Sequence, residues 1–150
     1  MNNNKSVRLV GLVAIIAGIV LILAGGVTWG MVRSQLVEEK ITVAEDASHF
    51  ANAKVTGPLE AYWQADIIKH HSLEAGGGKT YAELGRDDPI RAVVMNGSFL
   101  RASLFTSVIA FGVAAFAIGM GVMFVLVGWA LRSLGAAPAV APTARETLTA

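Results

Sequence analysis

The sequence predicts a mainly α-helical fold: a hairpin of two transmembrane helices joined by a small extracytoplasmic helical segment. Three observations predict it. Two long stretches, Leu9 to Val32 and Ala102 to Leu131, contain no charged residue. Only 15% of the 150 residues are charged, where a soluble domain carries about 25%. Basic residues flank both stretches: Lys5, Arg8 and Arg33 for the first, Arg101 and Arg132 for the second.

The first stretch, 9–32, holds thirteen Leu, Ile or Val residues. As a helix it would rise about 36 Å, enough to cross a hydrocarbon core of about 30 Å with modest tilt. A cleaved signal peptide is the competing reading, and Lys5 and Arg8 suit one. The apolar run is too long for it, and no small-residue cleavage pattern follows. The second stretch, 102–131, adds Phe105, Phe111, Phe116 and Phe124 to its aliphatic residues. It exceeds a perpendicular crossing, so it tilts or its start stands in headgroups or protein. Trp29 and Trp129 lie near the span ends, the depth that amphipathic aromatics favour, and are expected at opposite interfaces. The resulting division is an N-tail at 1–8, spans at 9–32 and 102–131, an extracytoplasmic segment at 33–101, and a C-tail at 132–150. The tail from Gly135 is Ala-, Pro- and Thr-rich without apolar periodicity and is expected to be disordered.

Lys5, Arg8 and Arg132 against a segment with ten acids and six bases at 34–100 place both termini in the cytoplasm of a plasma-membrane protein. A net charge of +1 gives nucleic acid nothing to attract. With no cysteine, disulfides, thiolate catalysis and cysteine-based zinc sites are excluded.

Within the segment, Glu39 to Asp46 alternates briefly, with Ile41 and Val43 on one face. The stretch from Ala53 to Pro58 is a partner for it, so a short β-hairpin is allowed. Pro58 suits the first position of a helix running to about Ala75, with an apolar stripe of Leu59, Tyr62, Trp63, Ile67 and Ile68. Gly76 to Gly78 ends it. Thr80 and Glu83 have capping-box spacing and open a turn closed by Gly85. Asp88 followed by Pro89 starts a second helix, 89–101, which either runs on into the second span or breaks at Asn96-Gly97. So small a layer buries little surface by itself.

Small residues fall into lines. Gly11, Gly18 and Gly25 repeat every seven residues on the first span, and Ala114, Gly121 and Gly128 on the second. Such lines let helix backbones approach closely. Gly112 and Gly119 form another line, about 200° from Gly121 around the helix, and are a candidate face for a partner helix. The competing reading is the general abundance of glycine in membrane helices.

Candidate chemistry is sparse. The run GGGKT at 76–80 lacks the phosphate-loop glycine three residues earlier, where Leu73 stands, and follows no strand, so neither a nucleotide nor any other cofactor is expected. Asp66, His70 and Glu74 are spaced by four along one helix face. A carboxylate–imidazole–carboxylate line is a candidate for a divalent metal or a pH response. A solvated polar face with weak i,i+4 pairs is the plainer reading. Adjacent His70 and His71 diverge by about 100° and do not readily share a metal.

The segments VRSQLVEEKITVAEDA, AYWQADIIKHH, GGKTYAELGRDDPIR and SFLRASLFTSVIAFGV, within 32–132, resemble an uncharacterised two-span membrane family of actinobacteria whose members often carry the label aromatic ring-opening dioxygenase LigA. The resemblance implies topology and compartment. Ring-opening chemistry of that kind needs iron held by two histidines and a carboxylate, and the residues of this chain assemble no such set. The expectation is therefore a non-enzymatic accessory or scaffolding subunit, in contact with the bilayer and with another membrane protein or a second copy of itself. A metal- or pH-responsive sensor using Asp66, His70 and Glu74 is the alternative, and a membrane-bound enzyme the third.

Overall fold

The computed structural model describes residues 3–136. It is mainly helical, with α1 at Asn3–Glu38, α2 at Pro58–Ala75 and α3 at Arg91–Leu134. There is no strand among the described residues. The chain divides into two compact units, one of Met1–Val20 with Met120–Ala150, the other of Leu21–Gly119. Both α1 and α3 are long and apolar enough to cross a membrane. They outrun the expected spans: α1 has 36 residues and α3 has 44. Most of the tail expected as disordered, from residue 137 on, lies outside the described residues, as do residues 1 and 2. Of the C-tail at 132–150, Arg132 to Leu134 belong to α3, and Gly135 and Ala136 form a turn.

In the first unit the helices meet through small residues. A methyl group placed on Gly11 would lie 2.6 Å from the Gly128 carbonyl oxygen and 2.8 Å from Arg132 Cγ. On Gly18 it would lie 2.5 Å from the Gly121 carbonyl oxygen and 2.8 Å from Val125 Cγ2. On Gly128 it would meet Ile15 Cγ1 at 2.8 Å. These contacts run antiparallel, and backbone meets backbone with no room for a side chain. Dispersion between closely fitted helices is a gain that lipid tails do not offer equally.

In the second unit, Gly25 repeats the arrangement, with its added Cβ 2.7 Å from the Ala114 carbonyl oxygen. The unit's core joins Leu36, Val43, Val55, Ala61, Ala65, Leu104 and Phe111. Phe111 is 1% exposed and takes the edge of Trp29, ring centroids 4.7 Å apart.

The allowed β-hairpin is reduced to one antiparallel bridge, Thr42 with Lys54. Val43 N–H donates to Ala53 O at 2.8 Å, and Val55 N–H to Ile41 O at 2.9 Å. The alternation predicted for this stretch holds, since Val43 and Val55 are buried while Thr42 and Lys54 are exposed. The strands fail to extend because the chain must reverse between them. Phe50 and Asn52 take positive φ, 57° and 61°, a conformation that ends regular pairing.

Helix α2 starts at Pro58 and ends in a glycine turn. Gly78 N–H donates to Leu73 O at 2.7 Å and Gly77 N–H to Glu74 O at 3.1 Å, with Gly77 at φ 61°. This is the paired closure of a Schellman motif, which needs a left-handed residue. Its buried face differs from the predicted stripe. Ala61 and Ala65 are fully buried, while Leu59 is 60% exposed and Tyr62 43%. Ala61 and Ala65 pack into the core with Leu36, Val43, Val55, Leu104 and Phe111. A Cβ on Gly97 would overlap Ser72 Oγ and approach Ile68 Cγ2 to 3.9 Å.

That contact also answers the question of a break at Asn96-Gly97: α3 passes through unbroken. It begins at Arg91, two residues after the expected Pro89. Pro89 and Ile90 form a turn, in which Asp88 Oδ1 accepts the Ile90 N–H at 3.0 Å and Asp88 O accepts the Arg91 N–H at 3.0 Å.

Substituting Gly18→Leu should force α1 and α3 apart and lower stability in detergent by about 1–3 kcal/mol, the usual range for overpacking. Gly26→Leu, where nothing lies within 4 Å, should leave the thermal unfolding midpoint near the parent value.

Candidate functional site

The polar side chains gather on α2 and on the loop before it. The loop is fastened to α2 at three points. Ala44 N–H donates to Gln64 Oε1 at 2.9 Å. His71 Nε2 and Asp46 Oδ2 lie 2.6 Å apart. The His49 ring stacks on Trp63, centroids 4.2 Å apart and planes at 27°. Gln64 and His71 are seven residues apart, two turns of helix, and so present to one side of α2.

Electrostatics strengthens the second tie. The hydrogen bond from His71 holds the Asp46 carboxyl below its ordinary 3.8, with a smaller contribution from its own backbone N–H. A second fastening closes the turn after α2. Glu83 Oε2 accepts from Thr80 N–H at 2.8 Å and from Thr80 Oγ1 at 2.7 Å. The Thr80 backbone N–H, then its hydroxyl, hold the Glu83 carboxyl below the usual range. The capping-box spacing is thus used, to close a turn with no helix following. Arg91 pins the far side of the same turn. Its guanidinium lies 4.0 Å from the Tyr81 ring centroid and donates to the Tyr81 and Leu84 carbonyls.

Of the predicted metal line, the structure joins two members only. His70 Nε2 lies 3.6 Å from Asp66 Oδ2, with both side chains substantially exposed. Among the described residues no ion pair joins Glu74 to either. Among the described residues no group of three or more His, Asp or Glu is placed to hold a metal. The reason is geometric: one exposed i,i+4 line presents donors along a ridge, whereas a metal needs them converging from several sides.

The helix lines fare differently. Gly11 meets Gly128, Gly18 meets Gly121, and Gly25 meets Ala114. Gly112 and Gly119 have nothing within 4 Å and lie open. Trp29 is half-buried against Phe111, so its place is in the core of its unit, while Trp129 is 68% exposed.

Sequence reasoning missed the His71–Asp46 tie and the His49–Trp63 stack. The partners are 25 and 14 residues apart, and no local periodicity links a loop to a helix face. The one available signal was the pair of histidines, of which only His70 fitted a spacing rule.

Because the Asp46 pKa is depressed in the folded protein, its tie contributes stability that is full above the ordinary value of 3.8 and is lost as pH falls through the lower folded value. The thermal midpoint of the parent should exceed that of Asp46→Asn at pH 5. The two should converge as pH is lowered below 3.8, whereas a gap that persists there would assign the effect to something other than this carboxylate. No family model, curated protein or solved structure matches the chain.

Proposed function

We propose that the chain is an integral plasma-membrane protein with two spans and both termini cytoplasmic, acting as a non-enzymatic accessory or scaffolding subunit. The observation that carries this reading is the exposure of its apolar helices. The most apolar windows of α1 and α3 are only 11% and 17% buried within the protein. A core helix of a globule is covered by its own chain, and an apolar helix left bare needs another solvent, lipid or a partner.

Charge supports the orientation. Arg8 and Arg132 belong to one unit and both border the glycine contacts there, so bases from both ends of the chain gather on one side, as the excess of Lys and Arg in cytoplasmic flanks requires. The resemblance of residues 32–132 to a two-span family agrees with this topology.

A scaffolding role is favoured by how the polar groups are used. His71, Asp46, Thr80, Glu83 and Arg91 fasten loops to α2 and α3. Held this way, the segment presents a fixed surface. The open Gly112–Gly119 face of α3 is the place for a partner helix, from another membrane protein or a second copy. A second reading, a pH-responsive sensor, draws on the two imidazole–carboxylate pairs carried by α2, His70 with Asp66 and His71 with Asp46.

Crosslinking in native membranes followed by mild-detergent capture should recover the protein with a partner or as an oligomer. Gly112→Leu combined with Gly119→Leu should reduce that recovery severalfold while leaving the unfolding midpoint unchanged. Recovery of the parent protein as a lone monomer would count against the accessory reading. Loss of a pH response on His70→Ala or His71→Ala, with partner capture intact, would favour the sensor instead.

A further inference from the structure

Where α2, the glycine turn and α3 meet, a cavity of about 100 Å³ is lined by Lys69, Ser72, Thr80, Tyr81, Ser98 and Arg101, with Leu73, Val94 and Gly97 completing the wall. A single water needs roughly 10–15 Å³ on this measure, so the space suits a group of several atoms. Two features set its chemistry. The lining includes two cations and three hydroxyl-bearing residues besides Tyr81, and no carboxylate. The Arg101 Nε is buried without any hydrogen-bond partner.

An orphaned guanidinium N–H is costly and calls for an explanation. Arg101 has no carboxylate partner among the described residues, where the ion pairs involve His70 and His71. Its Cζ lies 5.2 Å from the Phe105 ring centroid, a contact with a guanidinium face that leaves its edge donors unused. The acid that touches the rim is Glu83, and both of its contacts are to Thr80, so Thr80 Oγ1 is already engaged. Ser98 Oγ donates to Val94 O at 3.0 Å and keeps its lone pairs. The charged donors left for a ligand are Lys69 and Arg101, beside the hydroxyls of Ser72 and Tyr81.

We propose that this cavity is an oxyanion site that takes a phosphate group, with Arg101 and Lys69 supplying the countercharge. A planar guanidinium fork matches the geometry of phosphate oxygens, and an ammonium serves as a point charge beside it. Gly97 leaves room for the Ser72 hydroxyl, which an added Cβ there would overlap. The phosphate has two sources. Arg101 is the last charged residue before the uncharged stretch 102–131, so in a bilayer the cavity stands at headgroup depth, where basic pockets hold anionic lipids. That source rests on the membrane reading above. A free phosphate or phosphomonoester does not.

The test uses the full-length protein in neutral-detergent micelles and in nanodiscs. Inorganic phosphate should raise the thermal midpoint saturably in micelles, beyond chloride at equal ionic strength. Alternatively, nanodiscs of phosphatidylcholine doped with phosphatidylglycerol should do so, with phosphatidylglycerol retained in native mass spectra. The first result assigns a free anion and the second a lipid. Either should weaken at least tenfold in Arg101→Gln and severalfold in Lys69→Gln. Lys69 is exposed, so its variant keeps the test valid if Arg101→Gln does not fold. Saturable phosphate binding by a protein that fails to sediment with membranes would keep the site and remove the membrane reading. Absence of saturable binding by both probes, or unchanged binding in the foldable variants, would overturn the site.

Discussion

The structure depends on one constraint: the described residues leave most of two long apolar helices uncovered. Side chains such as Leu9, Leu23, Ile109 and Phe116 are more than half exposed. At about 25 cal/mol for each Å² of apolar surface in contact with water, leaving so much of it bare to water is costly. The remaining features follow from how the chain uses its few covering residues. Glycine brings α1 and α3 into contact, and larger side chains, Phe111 and Trp29 among them, are concentrated in the unit that also holds α2.

Polar residues in that unit act as fasteners. The loop before α2 has one β-bridge and a small core around Val43 and Val55, too little to order it alone. Its attachments at Gln64, Trp63 and His71 supply what the core does not. Each is exposed or half-exposed, and each is worth little by itself. Together they fix the loop against one side of α2, and the Schellman turn and the Thr80–Glu83 closure fix the chain beyond it. The order of this segment therefore rests on several weak, directional contacts, the Asp46 tie among them.

Much of the helical architecture was legible from local pattern. Pro58, Gly76 to Gly78, the Thr80–Glu83 spacing and the seven-residue glycine lines are signals carried within a few residues, and each appears in the structure where its spacing placed it. What pattern could not give was tertiary choice. Leu59 and Tyr62 stay exposed while Ala61 and Ala65 face inward, because the core of Leu36, Val43, Val55, Leu104 and Phe111 lies on their side of α2. Helix α3 also stays unbroken through Asn96-Gly97, where sequence allowed a break. The line of Asp66, His70 and Glu74 followed a sound spacing rule but lacked converging donors, and the cavity at Arg101 is built from three separated stretches with no common motif.

The most direct measurement is the partition of the full-length chain after expression without detergent. Alkaline carbonate washing of the membrane fraction should leave the protein in the pellet, with release only by detergent. A compact monomer in the aqueous fraction would mean that protein, and not lipid, covers the apolar faces of α1 and α3, and it would contradict the assignment of both helices as membrane spans.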